Sequence, residues 1–371
     1  MERTTIKIGV IGCGNISDVY IKNLTQVFGQ TSVTAVVDIR MDRAYKMAEK
    51  YGIPTVCATH EELYALPDVD VVLVLTQPGN HTQIVREVLE AGKHVYVEKP
   101  LAFTREDAQA VMELAAQRNL YISSAPDTIL GAPVQTGKKL IEDGWIGDIV
   151  GATCAMSFTP PETWHPDPAF LYKEGAGPLF DNAPYSLLTL SYLMGSICSI
   201  QCAGRKTYGK RTITSQPHYG EQIDVEVPTY LQAVLTFDSG AIASLMHSVD
   251  SPNCRANEIG LEIYGSKGMI SLPSPGMFSG KVFYKRNNCN EWVQMPLING
   301  YDFDSRGIGL ADMAAAIQTG RSPRLSRDLV FHTIDALDAM NRAWQSHAYE
   351  LVESKFENTP ILAVGIPVGE V

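Results

Sequence analysis

Ile6-Lys7-Ile8-Gly9-Val10-Ile11-Gly12-Cys13-Gly14-Asn15-Ile16-Ser17 is the segment whose reading decides the fold. The apolar run from Thr5 to Ile11 reads as a buried strand, and the turn after it opens a helical pattern with Ile16, Val19, Leu24 and Val27 on one face. Gly12 would make the tight turn. Gly14 would let the backbone approach a pyrophosphate, which the helix N-terminus, with Asn15 and Ile16 in its first turn, holds by its free N–H groups. Ser17 stands at the third glycine position and is small enough for helix–strand packing. The next strand, Val33 to Val37, ends at Asp38, 24 residues after Gly14, where a carboxylate can accept from ribose hydroxyls. The glycines alone could also make a tight turn in a fold without nucleotide. The strand before them, the helix after them and Asp38 favour the dinucleotide.

The alternation continues outward from this unit. A helix over Arg43 to Tyr51 closes at Gly52 and Pro54. Thr59-x-x-Glu62 is a capping box for a short helix. Val69 to Leu75 is an apolar strand of the kind a doubly covered parallel sheet contains. Asn80 is placed to cap a helix carrying Ile84, Val85, Val88 and Leu89. His94 to Val97 is the next strand, Thr104 caps the next helix, and Tyr121 to Ser124 is a last short strand. Strand–helix alternation of this kind predicts an α/β fold with a Rossmann doubly wound parallel sheet over residues 1–125. After about Pro126, alternating strands dominate, at Ile149–Phe158, Ile197–Tyr208, Thr229–Phe237, Ala241–Val249, Gly260–Tyr264, Met269–Leu272 and Lys281–Lys285. Helices fall near Val134–Asp143, Tyr185–Leu193, Gly309–Thr319 and Arg327–His347. Residues 126–371 therefore read as a C-terminal α+β domain with a large, mostly antiparallel open sheet, for substrate binding and oligomerisation.

The 371 residues suit two domains, and 45% hydrophobic against 19% charged is an ordinary globular composition. The net charge of −11 argues against a nucleic-acid or anionic-membrane partner. No apolar run is long enough to span a bilayer. Met1 to Thr5 leads into the first strand with no secretory signal, so a cytoplasmic protein is expected. Seven cysteines without a CxxC pair read as buried free thiols in a reducing compartment, with no metal site.

Asp38 would repel a 2′-phosphate, which favours NAD over NADP; Arg40, two residues on, could instead stack on adenine, pair with a phosphate or lie in solvent. Glu98-Lys99-Pro100 ends a strand at the sheet's carboxyl edge, where ligands of such sheets bind. A lysine there can stabilise an alkoxide or lower a neighbour's pKa, or it can be a surface lysine.

These features together resemble the Gfo/Idh/MocA family, the glucose–fructose oxidoreductase and inositol dehydrogenase family. The resemblance runs over essentially the whole chain. Its marks are the turn from Gly12 to Ser17, Thr76-Gln77-Pro78 with His81, Glu98-Lys99-Pro100, and Gly175-Ala176-Gly177-Pro178-Leu179-Phe180-Asp181-Asn182-Ala183-Pro184-Tyr185. It implies a bound nicotinamide cofactor touched by Thr76, Pro78, His81, Glu98 and Lys99, a C-terminal sheet that forms a subunit interface, and oxidation or reduction of a hydroxyl on a sugar, cyclitol or similar polyol. Lys99 and Asp181 map onto catalytic or substrate-orienting positions. The family's common pattern has a histidine four residues after the Asp; here Tyr185 stands there. A nearby lysine cation would lower the phenol's pKa. Tyr185 could otherwise be a packed helix residue.

Thr159 to Tyr172 is a proline-rich aromatic loop just before the glycine motif, carrying Trp164, His165 and Phe170. It is a candidate substrate lid, with His165 an alternative acid or base, or else an ordered connector. Asp127 could bind substrate hydroxyls or start a turn, and Asn182 could contact substrate beside Asp181. Asp312 is expected to support the start of its helix, which Arg306 precedes. The main functional expectation is an NAD-dependent dehydrogenase that converts a pyranoside to a keto-sugar or keto-glycoside. The alternatives are an NAD-dependent glycosidase using transient oxidation and elimination, and a non-catalytic nucleotide-sensing regulator. In the strand from Thr229, Leu231, Ala233 and Leu235 need cover, and too few helices remain for both faces, so a homo-oligomer, dimer or tetramer, is expected.

Overall fold

A computed structural model describes residues 5–252, 254–255 and 260–371. Met1 to Thr4, on which the expectation of no signal rests, lie outside them. The first sheet comprises β1 (Ile6–Ile11), β2 (Thr31–Val37), β3 (Thr55–Val56), β4 (Val71–Val74), β5 (His94–Val97) and β6 (Ile122–Ser124). All its pairs are parallel, in the order β3-β2-β1-β4-β5-β6, so the order reverses beside β1. Successive side chains point to opposite faces. Ile8, Val10, Val71 and Leu73 enter one core, while Ile11, Val72 and Val74 enter the other.

The helices follow their local signals with two exceptions. Thr59 accepts from the Glu62 N–H to cap α3 (His60–Tyr64), and Thr104 accepts from Asp107 to cap α5 (Arg105–Gln117). Asn80 makes no side-chain cap for α4 (His81–Glu90), because a 3₁₀ turn over Pro78–Asn80 leads into that helix. In α1 (Ser17–Gln26) the buried side chains include Tyr20, Ile21 and Leu24, while Val19 is only half-buried. That rotation aims the Tyr20 hydroxyl at Glu98.

The second sheet has nine strands in the order β16-β15-β14-β13-β7-β12-β11-β8-β17, antiparallel except for the β7–β12 pair. They are β7 (Ile149–Ser157), β8 (Ile197–Arg205), β11 (Tyr230–Phe237), β12 (Ile242–Ser248), β13 (Leu261–Gly265), β14 (Gly268–Leu272), β15 (Val282–Arg286), β16 (Val293–Met295) and β17 (Tyr349–Leu351). A separate ribbon pairs β9 (Lys210–Thr212) with β10 (Gln222–Asp224). The ribbon, β3, β16 and β17 are too short to show in the sequence pattern. Helices α6 (Ala132–Glu142), α7 (Ala183–Met194) and Arg327–Ser346 cover one sheet face. Val330 and Ile334 of the last helix also reach the core under α4 and α5.

The sheet face expected to need an oligomeric partner is already covered. Leu231, Ala233 and Leu235 are buried within the chain. The opposite face carries exposed Val234, Ile242 and Tyr349 among Gln201, Gln232 and Ser244. Among the described residues, no helix is long and apolar enough to cross a membrane. Of the seven free cysteines, four are buried, Cys198 and Cys254 are partly so, and Cys289 is exposed. The expectation of uniformly buried thiols therefore fails at Cys198, within β8, and at Cys254 and Cys289, outside the strands.

Candidate active site

The turn after β1 forms the cofactor cradle. Gly12 has φ +99°, donates its N–H to Val37 O at 2.9 Å, and a Cβ there would lie 2.7 Å from Leu75 O. Its missing side chain is thus required by the chain itself. Gly14 differs: a Cβ there would meet nothing within 4 Å. The open space beside the backbone there fits an approaching pyrophosphate. No side chain caps the N-terminus of α1, beside exposed Asn15, although the Ser17 N–H turns back to Gly14 O at 3.2 Å.

Asp38 is fixed at the rim of the turn. Its Oδ2 accepts from the Cys13 N–H at 2.6 Å and its Oδ1 from the Arg40 N–H at 2.7 Å. Each oxygen keeps a further lone pair for a ribose hydroxyl. Burial, then Asp38, pushes the Cys13 thiol up to about 12, against Arg43, so this cysteine is inert. The Arg40 guanidinium is exposed and pairs with Asp42 at 3.2 Å. That leaves Asp38 as the group at the ribose end. Asp38→Ala should narrow the preference for NADH over NADPH by roughly tenfold, read as the ratio of dissociation constants. Tighter binding of NADPH than NADH by the unaltered protein would overturn this assignment.

A cavity of ≈ 490 Å³ lies at the carboxyl edge of the first sheet. Ile16, Thr76, Pro78, Glu98, Lys99, Asp181, Asn182, Tyr185, Trp164 and His165 all line it. Thr76 Oγ1 is buried without a partner among the described residues, so the cavity offers it for a ligand hydrogen bond. The residues present fit a nicotinamide dinucleotide. Glu98 ties the two sides of its site together. Its Oε1 accepts from the Tyr20 hydroxyl at 2.8 Å, and its Oε2 accepts from the Lys99 N–H at 2.9 Å.

Lys99, Asp181 and Tyr185 converge. Lys99 Nζ donates to Asp181 O at 3.0 Å and pairs with the Asp181 carboxylate. It also sits 5.4 Å from the centre of the Tyr185 ring. Burial disfavours the lysine's charge, but Asp181, Tyr185 and Glu98 outweigh it and hold the pKa above the usual lysine value. Asp181 belongs to a wider π turn over Pro178–Asn182 that runs into α7, which carries Tyr185. Among the described residues, the Tyr185 hydroxyl has no hydrogen-bond partner, so it is free for substrate. Burial pushes its phenol up, Lys99 and Arg306 oppose, and the net direction is upward. The expected lowering by Lys99 is therefore reversed: the cation is near, but desolvation wins.

The aromatic loop is anchored from behind by buried charge. Glu162 accepts from Arg211 Nη1 at 2.6 Å and from the Tyr172 hydroxyl, and Arg211 also pairs with Asp250. The Arg211 guanidinium lies 5.4 Å from both the Tyr172 and Tyr208 rings. His165 packs edge-on against Trp164 and Phe170, each at 72°. Its Nδ1 accepts from the Asp167 N–H at 3.0 Å, which leaves the proton of the neutral ring on Nε2. In that tautomer His165 can donate a hydrogen bond but cannot take a proton at Nε2.

Two expected ligand contacts lie elsewhere. Asp127 is buried, with Oδ2 accepting from the Gly307 and Gly309 N–H groups at 2.8 and 3.1 Å, so it caps the helix Ile308–Thr319 rather than meeting substrate. Burial pushes its pKa up to about 6 against those N–H groups and Arg306. His81 is wholly buried; Nδ1 lies 2.8 Å from Pro100 O and Nε2 3.0 Å from Thr76 O, so it braces two cofactor-facing loops from behind. Asp312 does not support its helix start, because it binds Arg321 and Arg324 in a buried cluster. The structure adds Arg306 to the candidate site, a residue to which the sequence assigns only a place before its helix. It lines the cavity, bonds Asp304 at 2.6 Å and brings a second cation toward Tyr185. Only its place before a helix with a left-handed Gly307 cap hinted at a fixed position. Among the described residues, no cluster of His, Cys, Asp and Glu is placed to hold a metal ion.

Comparison with known proteins matches this architecture. Residues 6–125 fit the oxidoreductase family with an NAD-binding Rossmann fold, and residues 134–271 fit the GFO/IDH/MocA C-terminal domain. An inositol 2-dehydrogenase of Ralstonia nicotianae is 33% identical over 356 residues, covering 94% of this chain and 97% of that one. An NAD-binding oxidoreductase structure from Klebsiella pneumoniae superposes with a TM-score of 0.82 at 21% identity, over 95% of this chain and 100% of that one. A levoglucosan dehydrogenase in complex with NADH and levoglucosan gives 0.81 at 20% identity, over 95% and 100%. The two structures share the fold. The chain belongs to the Gfo/Idh/MocA family; it is an oxidoreductase, and NAD is its cofactor.

Proposed function

We propose that this NAD-binding oxidoreductase oxidises a secondary hydroxyl of a sugar, cyclitol or glycoside. The observation that carries the reading is the convergence of Lys99, Asp181 and the unpartnered Tyr185 hydroxyl in one cavity with the dinucleotide cradle. NAD, when bound, supplies the hydride acceptor. The carbinol carbon loses its C–H pair as hydride and its O–H as a proton, and the C–O bond becomes a carbonyl. Tyr185 takes the hydroxyl proton. Lys99, held charged, stabilises negative charge on the substrate oxygen. Asp181 orients Lys99, Asn182 holds a neighbouring hydroxyl, and Arg306 favours the phenolate that must form before Tyr185 can take the proton. The inositol dehydrogenase relative supports a polyhydroxylated ring as substrate.

Mass spectrometry of products from a panel of sugars, cyclitols and glycosides, with the NAD-loaded protein, tests this. A product two hydrogens lighter than its substrate is expected. Release of free aglycone would replace dehydrogenation by the elimination reading, and no turnover across the panel would overturn both. We also propose a homo-oligomer formed through the open sheet face bearing Val234, Ile242 and Tyr349, in a cytoplasmic setting that suits seven free cysteines. A monomer in sedimentation at micromolar concentration would contradict the oligomer.

A further inference from the structure

Oxidation of a sugar hydroxyl accounts for only part of the cavity. Its charged and amide groups suffice for one hydroxylated ring. The wall from the second sheet and its loop is of another kind, built from Met156, Phe158, Trp164, Phe170, Leu171 and Val249. Three of its rings are wet: Phe158 is 40% exposed, Phe170 39% and Trp164 60%. Large apolar side chains left in water around one cavity mark a surface that a ligand covers. The loop is pinned from its buried side by Glu162, Arg211 and Asp250, while Trp164 and Phe170 pack on His165 and still leave much of their rings in water. The six side chains of this wall offer no hydrogen bond to the hydroxyls of a polyol laid against them. A flat apolar group would instead gain contact on the three rings.

We infer that the substrate is an aryl glycoside, whose sugar meets Lys99, Asp181 and Tyr185 while its aromatic aglycone lies against Phe158, Trp164 and Phe170. The inference rests on the sugar oxidation proposed above and names the substrate class of that same site. The test compares kcat/KM for the methyl, phenyl and naphthyl glycosides of one sugar. The aryl compounds should exceed the methyl one by roughly ten- to a hundredfold, as expected for burying one added ring. Phe170→Ala should shrink that ratio, and Phe170→Leu should retain part of it. Equal kcat/KM across the three, a ratio unmoved by Phe170→Ala, or a free cyclitol as the best substrate would overturn the aryl assignment while leaving sugar oxidation in place. If no glycoside is oxidised, the function proposed above falls instead. The aglycone is then decided by binding the same three compounds to NADH-saturated protein, where equal dissociation constants overturn it.

Discussion

Tyr185→Phe should lower substrate oxidation by about 10²- to 10⁴-fold, the range for losing one general acid–base group, with NAD affinity unchanged. The substitution keeps the ring against Lys99 and removes only a hydroxyl that has no partner among the described residues. No structural hydrogen bond is lost, so the fold should hold and the effect should fall on turnover. The pH dependence follows from the upward direction of the phenol's pKa, set first by burial and opposed by Lys99 and Arg306. To accept a proton, Tyr185 must be phenolate. Oxidation should therefore keep rising with pH through neutrality. Reduction of the ketone product needs the phenol, so it should hold through neutrality and fall only at high pH. An imidazole base would instead level off near neutrality. Near-normal activity in Tyr185→Phe together with an inactive His165→Ala would make His165 the base, against the tautomer that its Asp167 contact favours.

Loss of the Lys99 ammonium should be nearly as severe. Lys99→Ala should cut kcat by roughly 10²-fold or more, because a fixed cation beside a developing alkoxide stabilises the transition state more than the ground state. Lys99 remains protonated, since Asp181, Tyr185 and Glu98 outweigh its burial, so it acts by charge and donation rather than as a base. The Asp181 side chain is 46% exposed, so water can replace its lost partner and the fold should survive. Lys99→Arg should not rescue, because a planar fork cannot reproduce a compact ammonium at a site closed by Asp181 and the Tyr185 ring. An unchanged kcat with only a raised KM would show that Lys99 positions substrate and does not act on the chemistry.

By itself the sequence determined the elements and one end of the site. Strand periodicity, capping threonines and closing glycines are local properties, so β1, α3 and α5 and their order could be read directly. The glycine turn and Asp38 lie within one strand–helix–strand unit, so the cradle too was legible. Tertiary structure alone decided what depends on distant neighbours. Asp127 and Gly307 stand 180 residues apart, and only folding turns that carboxylate from a possible substrate ligand into a helix cap. Arg306 becomes a cavity cation, and Arg211 the loop's anchor, through contacts that no spacing rule encodes. The direction of the Tyr185 pKa is fixed by the fold for the same reason. Its neighbour Lys99 could be named from the motif, but desolvation sums over every element packed around the ring, and that sum exists only in the folded chain.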